Sequence, residues 1–309
     1  MTNFYGQFIG FGAGTSGAAA WSPLGVSYGY AAGGYRSGYS DIIDKTSYTS
    51  DVDSADVGDL TIGRSSTAAS SSAEYGHSAG GITPSAQSRI DRMSFSSEGN
   101  STDWADLSDN RQQPSGSTSG TYGYSAGGFT GGSTEVTGVD KYPFASNDNA
   151  TSVLALTIER RPAGSTSSLT HGYNSGGEGS SPSRNVIDKF SFASDDDAVD
   201  WGDLIAPWDD GTGIMSTTHG YSTTGAGDSG AENVIQQYSF SSDAGASDWA
   251  DLFETRRIGS GNSSTTYGYA QGGVSTSATV DKFSLSAQAN ATDVGNLTVG
   301  GYGAEGYDV

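Results

Sequence analysis

The sequence predicts an all-β fold, a six-bladed β-propeller with four short antiparallel strands in each blade. Two observations carry the blade count. An opening aromatic recurs at Tyr28, Tyr75, Tyr122, His171, His219 and Tyr267, at intervals of 47, 47, 49, 48 and 48 residues. Inside each unit the strand Ile/Val-Asp-Lys places its second residue at Asp44, Asp91, Asp140, Asp188, Gln236 and Asp281, each 16 residues before a Leu. The third observation concerns composition. With 47 Gly and 17 Tyr, rich in Ser and Thr, the chain favours short strands joined by many turns over helices. Hydrophobic content is only 34%, yet a disordered polar tract has no reason to keep its aromatics in register.

Residues 1–27 precede the first complete unit. Phe4 to Phe11 alternates as a strand does, so this segment is expected to close the ring by supplying the strand that blade 1 lacks upstream. Thr298 to Val309 would then end beside it. Residues 28–309 form the propeller, and the whole is one domain. Each unit opens with Tyr/His-Gly-Tyr/His-x-x-Gly-Gly, whose two aromatics share one strand face while the Gly between them admits a neighbouring backbone. A Gly/Ser/Thr loop follows, then the Asp-Lys strand, an Asp-rich turn, and a strand centred on Val57, Trp104, Val153, Trp201, Trp249 or Val294. Four residues after the Leu comes Arg64, Arg111, Arg160, Trp208 or Arg256, and 11 residues later the next unit opens. All variation in unit length therefore falls in one loop, which runs 10, 10, 12, 11, 11 and 8 residues from the second Gly position to the Asp position. Such variation maps to loops on one face, often the binding face. Antiparallel order puts these loops on the same face as the Arg/Trp208 junctions. The Asp-rich turns fall on the opposite face, as an acidic ring.

The Gly pair, the aromatic Asp-Lys strand, the Trp and the Arg, in that order, resemble kelch repeats across residues 28–309. Blade 5, which has Thr224 in place of the first Gly, and the Val-bearing blades 1, 3 and 6 depart from that pattern. The fuller wording, Tyr-Gly-Tyr-x-x-Gly-Gly followed by Ile-Asp-Lys-Phe-Ser-Phe and Asp-x-Gly-Asp-Leu, is similar to repeat proteins of marine bacteriophage virions. That resemblance implies a tail- or capsid-associated structural role, assembly in a host cytoplasm and a part in host attachment.

A net charge of −21 argues against nucleic acid or an anionic membrane as partner. Zero cysteines excludes disulfides, thiolate metal sites and a cysteine nucleophile, including the Cys–Tyr pair of a kelch-like copper oxidase. No apolar run approaches the ~18 residues of a membrane span. Met1 to Phe4 lacks the basic region of a secretory signal.

Asp188 shares a strand face with Phe190 and Phe192, so it should point between blades and need a cation there. Blade 5 loses the Asp, the Lys and the upstream Arg together, as Gln236, Gln237 and Trp208. Buried ion pairs Arg64–Asp91, Arg111–Asp140, Arg160–Asp188 and Arg256–Asp281 follow as expectations. Asp44 stands outside the scheme, with Gly17 in its Arg place. His77, His171 and His219 replace Tyr in different blades and are expected as core aromatics, not a metal site. The turns Asp51 to Asp56, Asp195 to Asp200 and Asp243 to Asp248 carry acids that suit Ca²⁺, but none completes an EF-hand, so no cofactor is expected.

Tyr35, Arg36, Tyr39 and Trp208, with Trp21, lie outside the repeat pattern and are the candidate contacts for a ligand or partner. No P-loop, Gly-x-Ser-x-Gly elbow or His-Glu-x-x-His occurs. The acids are close to repeat-symmetric, whereas catalysis needs one asymmetric place. The expected function is therefore non-enzymatic: a structural and binding module of a virion, meeting a protein neighbour or a host-surface glycan through its variable loops. A secreted or cell-surface carbohydrate-binding adhesin is the alternative, and a propeller glycosidase is a third.

Overall fold

A computed structural model describes residues 22–131, 134–179, 184–227, 230–273 and 277–309. It is an all-β, six-bladed propeller. Blades 2 to 6 each follow the chain from an inner strand outward. Blade 4 shows the pattern: Gly164–Ser167 innermost, then His171–Gly177, Arg184–Ser191 and Val199–Asp203 outermost. Blade 2 has two further short strands, Phe129–Thr130 and Thr134–Glu135, which the variable loop of blade 3 adds along its outer strand Thr102–Gln112.

Blade 1 corrects the expected closure. Its innermost strand is the C-terminal Tyr302–Asp308, antiparallel to Tyr28–Tyr35 with Tyr30 opposite Tyr307. The expected closing segment lies outside the described residues over 1–21, Trp21 and Gly17 included. Of its remainder, the Val26 and Ser27 amides donate to the Val309 carbonyl, at 2.9 and 3.1 Å. The physical reason is continuity. Each blade takes its inner strand from the chain just after the previous blade, and only the C-terminal strand continues blade 6.

The core is a set of six sandwiches between neighbouring blades. The second aromatic of each opening motif reaches the end of the next blade's Asp-Lys strand. Tyr30 stacks on Phe95 with centroids 5.2 Å apart, Tyr124 on Phe192 at 5.0 Å and Tyr173 on Phe240 at 4.5 Å. The Trp/Val position has a distinct geometry. In all six blades the ladder shifts register at the step before the Asp, or before Gln236 in blade 5 (Ile187 opposite Gly202, Asp188 opposite Asp200), which makes Trp201 and its equivalents the extra residue of a β-bulge.

The Gly-Gly pairs sit in the left-handed region, as at Gly127 (φ 61°) and Gly128 (φ 92°), and the Gly128 amide donates to the Arg160 carbonyl at 2.9 Å. Blade 5 holds the same bend with Thr224 at φ 55°. Glycine has a different use at the axis, where a Cβ on Gly213 would lie 1.8 Å from the Ser165 carbonyl oxygen and one on Gly306 2.0 Å from that of Gly261. The inner strands meet backbone to backbone.

Candidate partner-binding face

The junction arginines are buried where expected. Arg64–Asp91 measures 3.0 Å, Arg111–Asp140 2.8 Å, Arg160–Asp188 3.0 Å and Arg256–Asp281 2.8 Å, with every carboxylate side chain fully buried. Each carboxylate also holds the preceding blade's Leu-Thr/Ser step. Asp140 accepts from the Ser108 amide at 2.7 Å and the Ser108 hydroxyl at 2.8 Å, and Asp91 accepts from the Thr61 amide at 2.9 Å and its hydroxyl at 2.6 Å. The hydroxyl after the Leu in four of the six units (Thr61, Ser108, Thr157 and Thr298) was the available signal for this staple, and sequence reasoning missed it. Where Phe253 stands in that place, Asp281 receives only the amide, at 3.0 Å, and burial raises its carboxyl against the pull of Arg256.

Two candidate contact residues are corrected by this network. Arg36 is buried and pairs with Asp44 at 2.7 Å, so it serves blade 1 and not a partner. In the closed ring the junction residue ahead of blade 1 is Gly301, four residues after Leu297, and a Cβ there would lie 2.6 Å from Arg36 Cγ. Arg36 thus reaches back from the variable loop to fill the space left by a missing junction arginine. Trp208 is also buried, at 3% exposure, and lies over Gly225, where a Cβ would stand 2.5 Å from the indole. Without a cation there, Gln236 accepts from the Ile205 amide at 2.7 Å through its neutral oxygen.

The acidic turns are engaged as well. The Asn149 side chain accepts from the Asp106 amide at 3.0 Å, Asp197 from the Ala155 amide at 2.8 Å, and Asp53 from the Asn296 amide at 3.0 Å, so each turn covers the outer edge of the preceding blade. The lysines divide by blade type. In two Val blades Lys141 reaches Asp195 and Lys282 reaches Asp51, both at 2.8 Å, and in the third Lys45 pairs with Glu98. In Trp blades 2 and 4 the cation stays on the indole, with Arg92 and Lys189 each 3.4 Å from the ring centroid. Among the described residues no group of three or more His, Asp or Glu is placed to hold a metal.

The histidines split in two. His77 is buried, stacks on Phe144 at 4.7 Å, and burial with the nearby Arg92 pushes it down to about 3. His171 and His219 are not core residues, a correction to the expectation. They begin their strands part-exposed, each with Nδ1 at 2.8 Å from a threonine hydroxyl.

Among the described residues, an aromatic cluster remains on the variable-loop face. Tyr35 stacks on Tyr302 at 5.4 Å and meets Tyr39 edge-on, also at 5.4 Å. Tyr39 is 37% exposed. The cluster is well held: the Arg36 amide donates to Gly38 at 2.8 Å, Tyr35 pairs with Tyr302 on the closing strand, and Arg36 is anchored on buried Asp44. Sequence reasoning picked out Tyr35 and Tyr39. It missed Tyr302, whose role depends on which strand closes the ring.

No protein-family description matches the chain, and no curated protein matches it. The fold and this cluster define the class of molecule, a six-bladed propeller with a tyrosine patch beside its axis.

Proposed function

We propose that this chain is a non-enzymatic binding and structural module of a larger assembly, and that it meets a host-surface glycan through the Tyr35–Tyr39–Tyr302 patch. The observation that carries the proposal is the patch itself: three rigidly held phenol rings on the face where loop length varies, offering flat apolar surface with hydroxyls at the edge. Such rings stack on sugar faces at little entropic cost. The kelch-like repeat and its likeness to marine bacteriophage virion repeats support a tail- or capsid-associated place. In that setting the opposite face, whose turns interlock the blades, would meet protein neighbours. An adhesin at a cell surface would use the same patch.

A glycan array probed with the wild-type protein and with Tyr39→Ala tests the proposal. The wild type is expected to give hits that the variant loses by at least about tenfold, the equivalent of about 1.4 kcal/mol, at unchanged melting temperature. A folded wild type with no hits would leave the protein-docking role alone.

A further inference from the structure

The channel along the propeller axis is closed in different ways at its two ends. At the short-turn end, six backbone amides each donate to a side chain on the next blade. Asp308 donates to Ser71 Oγ at 3.2 Å, Ser71 to Thr118 Oγ1 at 3.3 Å, Thr118 to Ser167 Oγ at 2.9 Å, and Ser167 to Met215 Sδ at 3.3 Å. Met215 donates to Ser263 Oγ at 2.9 Å, and Ser263 to Asp308 Oδ2 at 3.0 Å, which completes the circle. At the variable-loop end a second circle runs peptide to peptide. Gln113 donates to Ser66 at 3.1 Å, Ser66 to Gly303 at 2.7 Å, Gly303 to Ile258 at 2.8 Å and Ile258 to Asp210 at 2.6 Å. The remaining position in this circle is Pro162, which has no amide proton to donate, so the circle is interrupted between blades 3 and 5.

Glu305 lies two residues below this interrupted circle, on the closing strand, and lines a channel of about 100 Å³. The equivalent positions of the other inner strands hold Ala68, Ser115, Gly164, Thr212 and Ser260, so this is the one acid at that level. Glu305 has no hydrogen bond or ion pair among the described residues. Burial raises its carboxyl well above the usual range, and no neighbouring charge contributes. The inter-blade carboxylates Asp44, Asp91, Asp140, Asp188 and Asp281 each have an arginine. Glu305 is half-buried by accessible surface and faces the channel, and a carboxylate so placed with neither hydrogen bond nor ion pair is open to a partner.

We propose that the channel binds a single hard metal cation, with Glu305 as its only charged ligand and neutral channel oxygens and water completing the shell. Such ions take carboxylate, hydroxyl, carbonyl and water oxygens together, and Ser115 and Thr212 bring hydroxyls to the channel lining. Entry is from the variable-loop end, where Pro162 interrupts the backbone circle and the Arg161 side chain, bonded to Gln113 Oε1 at 2.9 Å, spans the step from blade 4 to blade 3.

The test uses the full chain, stripped with chelator and desalted, in calorimetric titrations and thermal unfolding with CaCl₂, MgCl₂ and KCl. The wild type is expected to bind one equivalent of at least one of these ions and to melt several degrees higher with it. Glu305→Gln, close to isosteric, is expected to weaken binding at least tenfold and lose the shift, while Asp53→Asn on the outer turns keeps both. Glu305→Ala repeats the comparison should the Gln variant fail to fold. The proposal is overturned if the wild type responds to none of the ions. It is equally overturned if the Glu305 variants respond as the wild type does, which would put the ion on the acidic turns.

Discussion

Arg36 shows how much one residue can carry in a repeat protein. Four blades obtain the cation for their buried Asp from the preceding junction, and blade 1 obtains it from its own variable loop. Removing one partner of a buried pair strands the other charge, typically at 3–5 kcal/mol. Arg36→Ala is therefore expected to destabilise the protein by about 3 kcal/mol, much like Arg64→Ala, although Arg36 sits at no repeat position. Denaturant melts of the two variants check this. If Arg36→Ala were harmless, Asp44 would be held by Thr298 alone. The residue scale also explains the two kinds of lysine: an indole at the bulge keeps the cation on its own blade, and a valine releases it to the next.

At the scale of the element, the closing strand Tyr302–Asp308 is the one inner strand with two acids. Asp308 is buried, and burial raises it to about 7 against the opposing donors Tyr48, Asn262 and the Ser263 amide. Ser71 bonds its backbone and not its carboxyl. An acid whose folded pKa lies above its unfolded value holds its proton more tightly when folded. Its stabilising contribution is complete below the ordinary value of 3.8 and is lost as pH rises to about 7. The shift corresponds to roughly 4 kcal/mol at most. Subtracting the stability of Asp308→Asn from that of the wild type, across pH 4 to 8 in urea melts, is expected to give a difference that falls through this window. A flat difference would mean that the donors around Asp308 fully offset its burial. The strand's edge position makes it the natural place for such sensitivity, since it is bonded only to Tyr28–Tyr35 on one side and to its ring neighbours on the other.

For the whole molecule, closure joins residues far apart in the chain, as in Tyr30 opposite Tyr307, 277 positions on. Such contacts are entropically costly until the intervening chain is folded. Deleting residues 302–309 leaves blade 1 with three strands and breaks both channel circles, so loss of a single cooperative thermal transition is expected. Supplying the deleted octapeptide in trans should restore part of it. A truncated protein that melted like the full chain would show that the ring holds without its closing strand.

Blade number, the inward aromatics and four of the five Arg–Asp pairs were legible in the sequence, because each is repeated in register and each is made between neighbouring units. Closure, Arg36, Tyr302 and Glu305 were not. Each occurs once, and a single copy has no register to betray it. Local pattern and side-chain chemistry suffice for six similar blades and for the partners they offer their neighbours. Contact between the first unit and the last settles which end of the chain completes blade 1, and with it which tyrosines gather at the loop face and which acid lines the channel without a partner among the described residues. The reason is physical: those outcomes rest on packing between distant segments, where the first unit meets the last.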